Sequence, residues 1–331
     1  YLLCRGNKNY PDFTLLNRKL DSLYGAELSA NVDKFGEMQA LTLSIETLND
    51  QYAVGGEPLA AESARLLANL LLSPMVHQQS FDPKDYDPEK ANIIQLIMAE
   101  ENDKRKYALN RCVSAMCKDE PYGIYKYGDV QSVSALDGKM LYKAWEEALA
   151  LARIEILCTG MGGENAGKVF EKSLSGLKRR YQPLPSAQLI AGAEQVQEVV
   201  EQQPVTQAKL VMGYRVKTAL PEDTAAQSLM TCLFGGSAVS RLFKNVREKL
   251  SLCYYCAARY NKYKGIMLVD SGILEEKREA AESEIKKQLQ IIADGGYEEE
   301  ELTAAKLYLD NIFKGYNDSP AQLEYFWIDQ I

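Results

Sequence analysis

Residues 18–45, RKLDSLYGAELSANVDKFGEMQALTLSI, and residues 247–273, REKLSLCYYCAARYNKYKGIMLVDSGI, share one grammar. Each reads as the end of a helix, a strand, a K-F-G or K-Y-K-G turn, and a second strand. A chain that writes the same unit twice is constrained towards two α+β units of similar plan. The echo is short and needs one gap, so by itself it suggests duplication without setting its extent. The length agrees, since 331 residues is a two-domain length. With 46% hydrophobic and 25% charged residues, each unit can bury a core of its own.

Periodicity fills in the rest. Asp12–Tyr24 has a helical face of Leu16, Leu20 and Leu23, closed by Gly25. Strands are predicted near Glu27–Asp33 and Met38–Thr47, the second with the alternation of a half-buried strand. Helices follow over Pro58–Leu72, in one long run from about Pro88 to Cys117, over Gly138–Ala150 and over Glu164–Leu174, with an apolar strand at Arg153–Cys158. A Pro/Ala/Ser-bearing stretch near Leu177–Ala193 reads as a linker. Beyond it come strands near Val196–Gln202 and Gln207–Val216 and helices near Glu222–Phe234 and Ser240–Lys249. An antiparallel pair, Cys253–Tyr260 with Gly265–Ile273, and helices near Lys277–Ala293 and Glu298–Tyr316 close the chain. The acidic run Glu298–Glu301 suits a helix start and is read as structural. The expected division is 1–180, 181–193 as linker, and 194–331.

Composition narrows the function. Lys and Arg number 38 against 46 Asp and Glu, a net charge of −8, which argues against a nucleic-acid surface. Lys244, Arg247 and Lys249 form one local basic cluster. No apolar run approaches a membrane span. The chain opens at YLLCRG, which reads as the middle of an element, so its start is expected to be trimmed. Seven cysteines, mostly in apolar contexts, suit reduced thiols in the cytoplasm.

Several motifs are read as bland. Gly162, Gly167 and Lys168 imitate a phosphate-binding loop, but Val169 stands where Ser or Thr would bind magnesium. Cys253 and Cys256 make a C-x-x-C, yet residues three apart on a strand face opposite ways, so the thiols should diverge. His77, the one histidine, lacks a ligand-spaced neighbour and reads as a helix-end or surface residue. Glu100, Glu101 and Asp103 read as a solvated helix face. Arg247 and Tyr254 remain, seven residues apart across a helix-to-strand junction. A helix-end arginine and a half-buried strand tyrosine is the plain reading. As a guanidinium and a phenol, they could both donate to a peptide carbonyl.

The segment S-R-L-F-K-N-V-R-E-K-L-S-L-C-Y-Y resembles the C-terminal-domain signature of the insulinase/pitrilysin (M16) zinc peptidases, where an Arg and a Tyr stand at this spacing. Gly25–Asp33, Glu120–Asp129, Gln207–Arg215 and residues 235–243 and 264–273 also look like that family, so the resemblance spans nearly the whole chain. It is closest to the zinc-less member of bacterial paired M16 proteins. The resemblance implies an α+β fold of two homologous domains facing each other across a cavity. Each would be an antiparallel-rich sheet with helices on one face, an M16/LuxS-metallohydrolase-like duplication.

Family members hold zinc through H-x-x-E-H and a distal Glu on the long helix. By resemblance Tyr1 falls at the second histidine and the distal Glu near Gln95 or Leu96, so the metal site looks degenerate. No cofactor is expected in this chain, and zinc is expected in a partner. The family adds substrate as a strand beside an N-A-x-T segment, matched here by Ser29, Ala30, Asn31 and Val32. The implied function is the substrate-binding, non-catalytic subunit of a heterodimeric M16-type zinc metallopeptidase, with Arg247 and Tyr254 holding peptide in an enclosed cavity. Its partners would be a zinc-bearing sister subunit, or a second copy when isolated, and a peptide substrate. Two alternatives stay open: a peptide-binding or scaffold protein without hydrolytic role, and a self-sufficient zinc peptidase whose motif lies upstream.

Overall fold

The computed structural model describes residues 1–216 and 221–328. Parts of the expected C-terminal division, 217–220 and 329–331, therefore lie outside the described residues.

The first half begins with α1 (Phe13–Ser22), capped by Asp12, whose carboxylate accepts from the Leu15 amide at 2.8 Å. Tyr24 and Gly25 both take positive φ and end it. Strands β1 (Glu27–Phe35) and β2 (Met38–Glu46) pair in register from Glu27↔Glu46 to Phe35↔Met38. A two-residue loop joins them, and Gly36 at its first position has φ +61°, as a tight hairpin requires. Next come α2 (Leu59–Leu72), the short hairpin β3 (Val76–His77) and β4 (Ser80–Phe81), and α3 (Pro83–Glu100). Then follow α4 (Lys104–Met116), α5 (Val130–Ala135), α6 (Gly138–Leu151) and α7 (Gly163–Leu174). Leu16, Leu23, Ala26, Leu59, Leu66 and Leu70 form the core of this half.

In the second half, β5 (Ala208–Arg215) leads into α8 (Pro221–Thr231) and a π-helical turn, Cys232–Gly236. A π-helix, Leu242–Lys249, then feeds β6 (Cys253–Asn261). With β7 (Ile266–Ile273) the strands form an antiparallel sheet in the order β5-β7-β6. The chain continues through α9 (Arg278–Ala293), α10 (Glu299–Gly315) and α11 (Pro320–Ile328). Phe234, Leu242, Val246, Cys256, Met267, Val269 and Ile285 pack together between the sheet and these helices. The fold is α+β, with helices against small antiparallel sheets.

The structure corrects several expectations. The single long helix is two, because the chain turns at 101–103 and Asp103 caps a new helix by accepting from the Lys106 amide at 3.1 Å. Arg153–Cys158 and Val196–Gln202 run irregularly, outside any ladder. Strand propensity does not suffice where no neighbour is in register to take the backbone hydrogen bonds. The acidic run 298–301 is a capping box, with Glu301 accepting from the Glu298 amide at 3.1 Å and pairing with Arg241 at 2.7 Å.

The two hairpin turns of the echo meet. A Cβ on Gly36 would lie 3.0 Å from the Tyr263 Cβ and 3.1 Å from its carbonyl oxygen. The Phe35 and Tyr263 rings pack edge to face, 5.6 Å between centroids. Beside them Lys264, fully buried, pairs with Glu37 and with Glu120, the latter at 2.5 Å, and donates to the Gln188 carbonyl. Glu120 also takes the guanidinium of Arg215, and Glu37 accepts from the Gln188 amide at 3.0 Å. Burial pushes the Glu120 carboxyl up, but Arg215 and Lys264 outweigh it and hold it below the usual carboxylate range. Burial likewise depresses the Lys264 ammonium, and its two carboxylates more than reverse that.

Candidate functional site

Arg247 lies in the last turn of the π-helix, and Tyr254 at the start of β6. The chain turns between them at Leu250–Leu252, where Ser251 takes a positive φ of 49° and the Leu250 amide donates to the Asn245 carbonyl at 3.2 Å. Helix turns of this wide type are uncommon and are frequent at functional sites. The Arg247 guanidinium stacks on the Phe243 ring at 4.6 Å and approaches the Glu248 carboxylate at 3.5 Å. Stacking uses the face of the guanidinium and leaves its in-plane N–H groups for a ligand.

Tyr254 is 58% exposed, and a β-bulge sets its direction. Cys253 opposes Ile273 and Tyr255 opposes Gly272, so Tyr254 is the extra residue. The two candidate donors therefore stand on the surface at one helix–strand junction. Tyr255 points to the other side of the sheet, under Arg105 of α4, whose guanidinium lies 4.3 Å from its ring centroid. Arg105 also pairs with the buried Asp270, and α4 packs on β5 and β7. The inner face of this sheet is thus packed by the first half where α4 crosses it.

The bulge overturns the expectation that Cys253 and Cys256 diverge. One inserted residue restores them to the same face, the side of Ile273 and Ser271. Cys256 hydrogen-bonds to Cys253, and with Ser271 and the charge of Arg247 this draws the Cys253 thiol down to about 7 against the effect of burial. The Cys256 thiol is pushed up, first by Cys253 and then by burial.

Ser29, Ala30, Asn31 and Val32 occupy the middle of β1, paired with Ser44, Leu43, Thr42 and Leu41 of β2. The Ser29 and Ser44 hydroxyls meet at 2.7 Å. Among the described residues this sheet has two strands, so β1 pairs on one side only. Its other side has no ladder partner among the described residues, the kind of edge to which a further strand can add.

Tyr1, Gln95 and Leu96 come together. With Glu89, Asn92, Ile93 and Ala99 they line a cavity of about 470 Å³ between the chain start and α3. The Tyr1 hydroxyl lies 3.3 Å from that of Tyr127, which raises the Tyr1 phenol to about 12, with burial adding to the shift. Glu89, the carboxylate of this cavity, is paired with Arg5 at 3.3 Å. Among the described residues no cluster of three or more His, Cys, Asp or Glu side chains could hold a metal ion. One neutral amide, one phenol and one aliphatic side chain do not supply the anionic or imidazole donors that zinc takes.

The remaining motifs are structural. His77 is exposed on the β3–β4 hairpin rather than at a helix exit. Gly162, at φ +90°, caps α7, and Lys168 pairs with Glu164 one turn earlier at 2.6 Å. Glu100 is half-buried and accepts from Asn110, and burial, with the Glu100 hydrogen bond after it, pushes the Tyr125 phenol up.

The chain matches the family model described as Peptidase M16 inactive domain over residues 135–309. It is 32% identical over 314 residues to the probable inactive metalloprotease YmfF of Bacillus subtilis (strain 168), a match covering 94% of this chain and 73% of that protein. Among solved structures it is similar to a conserved protein from Enterococcus faecalis V583, with a TM-score of 0.86 and 23% identity, covering 99% of this chain and 79% of the other. It is also similar to the peptidase M16 inactive domain from Pseudomonas fluorescens, with a TM-score of 0.73 and 18% identity, covering 95% of this chain and 72% of the other. The chain belongs to the peptidase M16 family.

Proposed function

We propose that this chain is the non-catalytic, substrate-binding subunit of a heterodimeric M16-type zinc metallopeptidase. A sister subunit supplies zinc, water and general base, and Arg247 and Tyr254 hold the substrate peptide and support its oxyanion. The observation that carries the reading is the pairing of two outward-facing donors, Arg247 and Tyr254, at one junction with a cavity of Tyr1, Gln95 and Leu96 that offers zinc no ligand set. Ser29–Val32 would add the peptide as a strand on the unpaired side of β1. The reading divides the chain at 1–180 and 194–331 around the irregular 181–193. It places the protein in the cytoplasm, where seven thiols stay reduced. No described helix is long and apolar enough to cross a membrane.

Co-expression with a zinc-bearing M16 subunit tests this. Tyr254→Phe and Arg247→Ala are each expected to lower peptide cleavage by the complex by about 100-fold, the scale of a lost oxyanion donor. Unchanged cleavage in both variants sinks the reading. The relative's description as a probable inactive metalloprotease favours the second reading, a peptide-binding or scaffold protein without hydrolytic role. Peptide binding without cleavage in any pairing would select it.

A further inference from the structure

Cys253 and Cys256 flank the bulged Tyr254. In a regular strand their side chains would point to opposite faces. Here the extra residue puts Cys253 opposite Ile273 and Cys256 opposite Ser271, on one side of the sheet. Both pack against the same core, Cys256 at 5% exposure and Cys253 at its half-buried edge, where a small oxidant reaches it. Ser271 donates to the Tyr255 carbonyl at 2.9 Å, and Arg247 supplies positive charge beside Cys253. The proposed peptide binding uses neither thiol.

We propose that Cys253 and Cys256 are a redox-active dithiol, closed to a disulfide by a peroxide-class oxidant and reopened by thiols, and that closure re-aims Tyr254. The Cys253 thiolate attacks a peroxide oxygen, breaking the O–O bond, and leaves as a sulfenic acid while hydroxide departs. The Cys256 sulfur then attacks the sulfenic sulfur, the S–S bond forms, and water leaves with the thiol proton. Two electrons pass from the two sulfurs to the peroxide. The lowered Cys253 pKa suits the first step, and the thiol of Cys256 stays protonated beside it.

Geometry ties the bond to Tyr254. The bulge already sets Cys253 and Cys256 opposite residues two apart on β7, about 7 Å along the strand, whereas disulfide-linked Cα atoms sit about 5.5 Å apart. Closure must therefore contract the segment. Tyr255 is held by Arg105 over its ring and by contact with Gly272, so the exposed Tyr254 is the residue that gives. A bond closed against such resistance is readily reduced, which makes the change reversible. The effect on Tyr254 as a peptide ligand rests on the proposed function; the disulfide does not.

The test oxidises the full chain with hydrogen peroxide, alkylates the remaining thiols and maps peptides. Cys253 and Cys256 are expected to leave the alkylatable set together, ahead of the exposed Cys158, whose thiol burial pushes up. Dithiothreitol returns both. Cys253→Ser and, as a second variant, Cys256→Ala should each abolish the linked peptide. Cysteines that alkylate as before, Cys253 oxidised to sulfinic acid with Cys256 still free, or a disulfide linking two chains would each overturn the proposal. Peptide binding is measured on the same samples. A disulfide that forms while binding is unchanged overturns the re-aiming of Tyr254. Absent peptide binding in the reduced chain counts instead against the proposed function.

Discussion

At the residue scale, Lys264 decides how the two halves meet. It is fully buried and its charge is matched by Glu37 and Glu120, with Arg215 supporting the second. Removing Lys264 leaves Glu37 without its ion partner and the buried Glu120 with Arg215 alone, so Lys264→Met is expected to cost about 3–5 kcal/mol. Urea denaturation measures it. Glu37 and Glu120 titrate below their ordinary value of 4.5, where burial is outweighed by Lys264 and, for Glu120, by Arg215. Their contribution is therefore complete above pH 4.5 and disappears as pH falls through the depressed values. Lys264 titrates above 10.5, so its contribution is complete below that pH and is lost as pH rises through the elevated value. Melting temperature against pH should show both limbs, and Lys264→Met should flatten them. In the sequence, Lys264 is legible only as a turn residue, because its partners lie in segments remote along the chain.

Elements carry the next set of consequences. The Gly36 hairpin is a two-residue loop with Gly36 at positive φ, and the sequence shows it as K-F-G between two alternating strands. Its contact with Tyr263 is not legible there. Gly36→Ala adds about 1–2 kcal/mol of left-handed strain and a Cβ that Tyr263 must yield to at 3.0 Å. A stability loss larger than the strain alone, reduced when Tyr263 is also changed to Gly, is the expected result of a double-mutant cycle. The helix–strand reading of 240–273 stands because its periodicities are strong and local. The C-x-x-C reading does not, because a bulge is a pairing property. One inserted residue in β6 reverses the facing of Cys253 and exposes Tyr254, and nothing in CYYC marks which residue will be the extra one. The split of α3 from α4 was marked, in E-E-N-D-K, by Asp103 as a cap inside a polar stretch.

For the whole molecule, the meeting turns, the Lys264 cluster and α4 on the second sheet join the two cores. Calorimetry is expected to record a single transition, and Lys264→Met to broaden or split it. Two well-separated transitions in the unaltered chain would mean that the cores unfold independently and that the buried ion pairs couple little between them.

The sequence alone determined the order of most helices and the β1–β2 and β6–β7 hairpins, and it suggested the duplication and the family, since local periodicity, turn chemistry and short motifs carry those. It also marked Arg247 and Tyr254, and the family resemblance set Tyr1, Gln95 and Leu96 at the positions of the metal ligands. Only the tertiary structure decided that those three line one cavity, that Glu120, Arg215, Lys264 and Glu37 close into one cluster, and that two thiols share a face. The physical reason is the same each time: burial, pairing register and charge compensation depend on what a residue faces, and that partner is remote in the chain or set by the strand beside it.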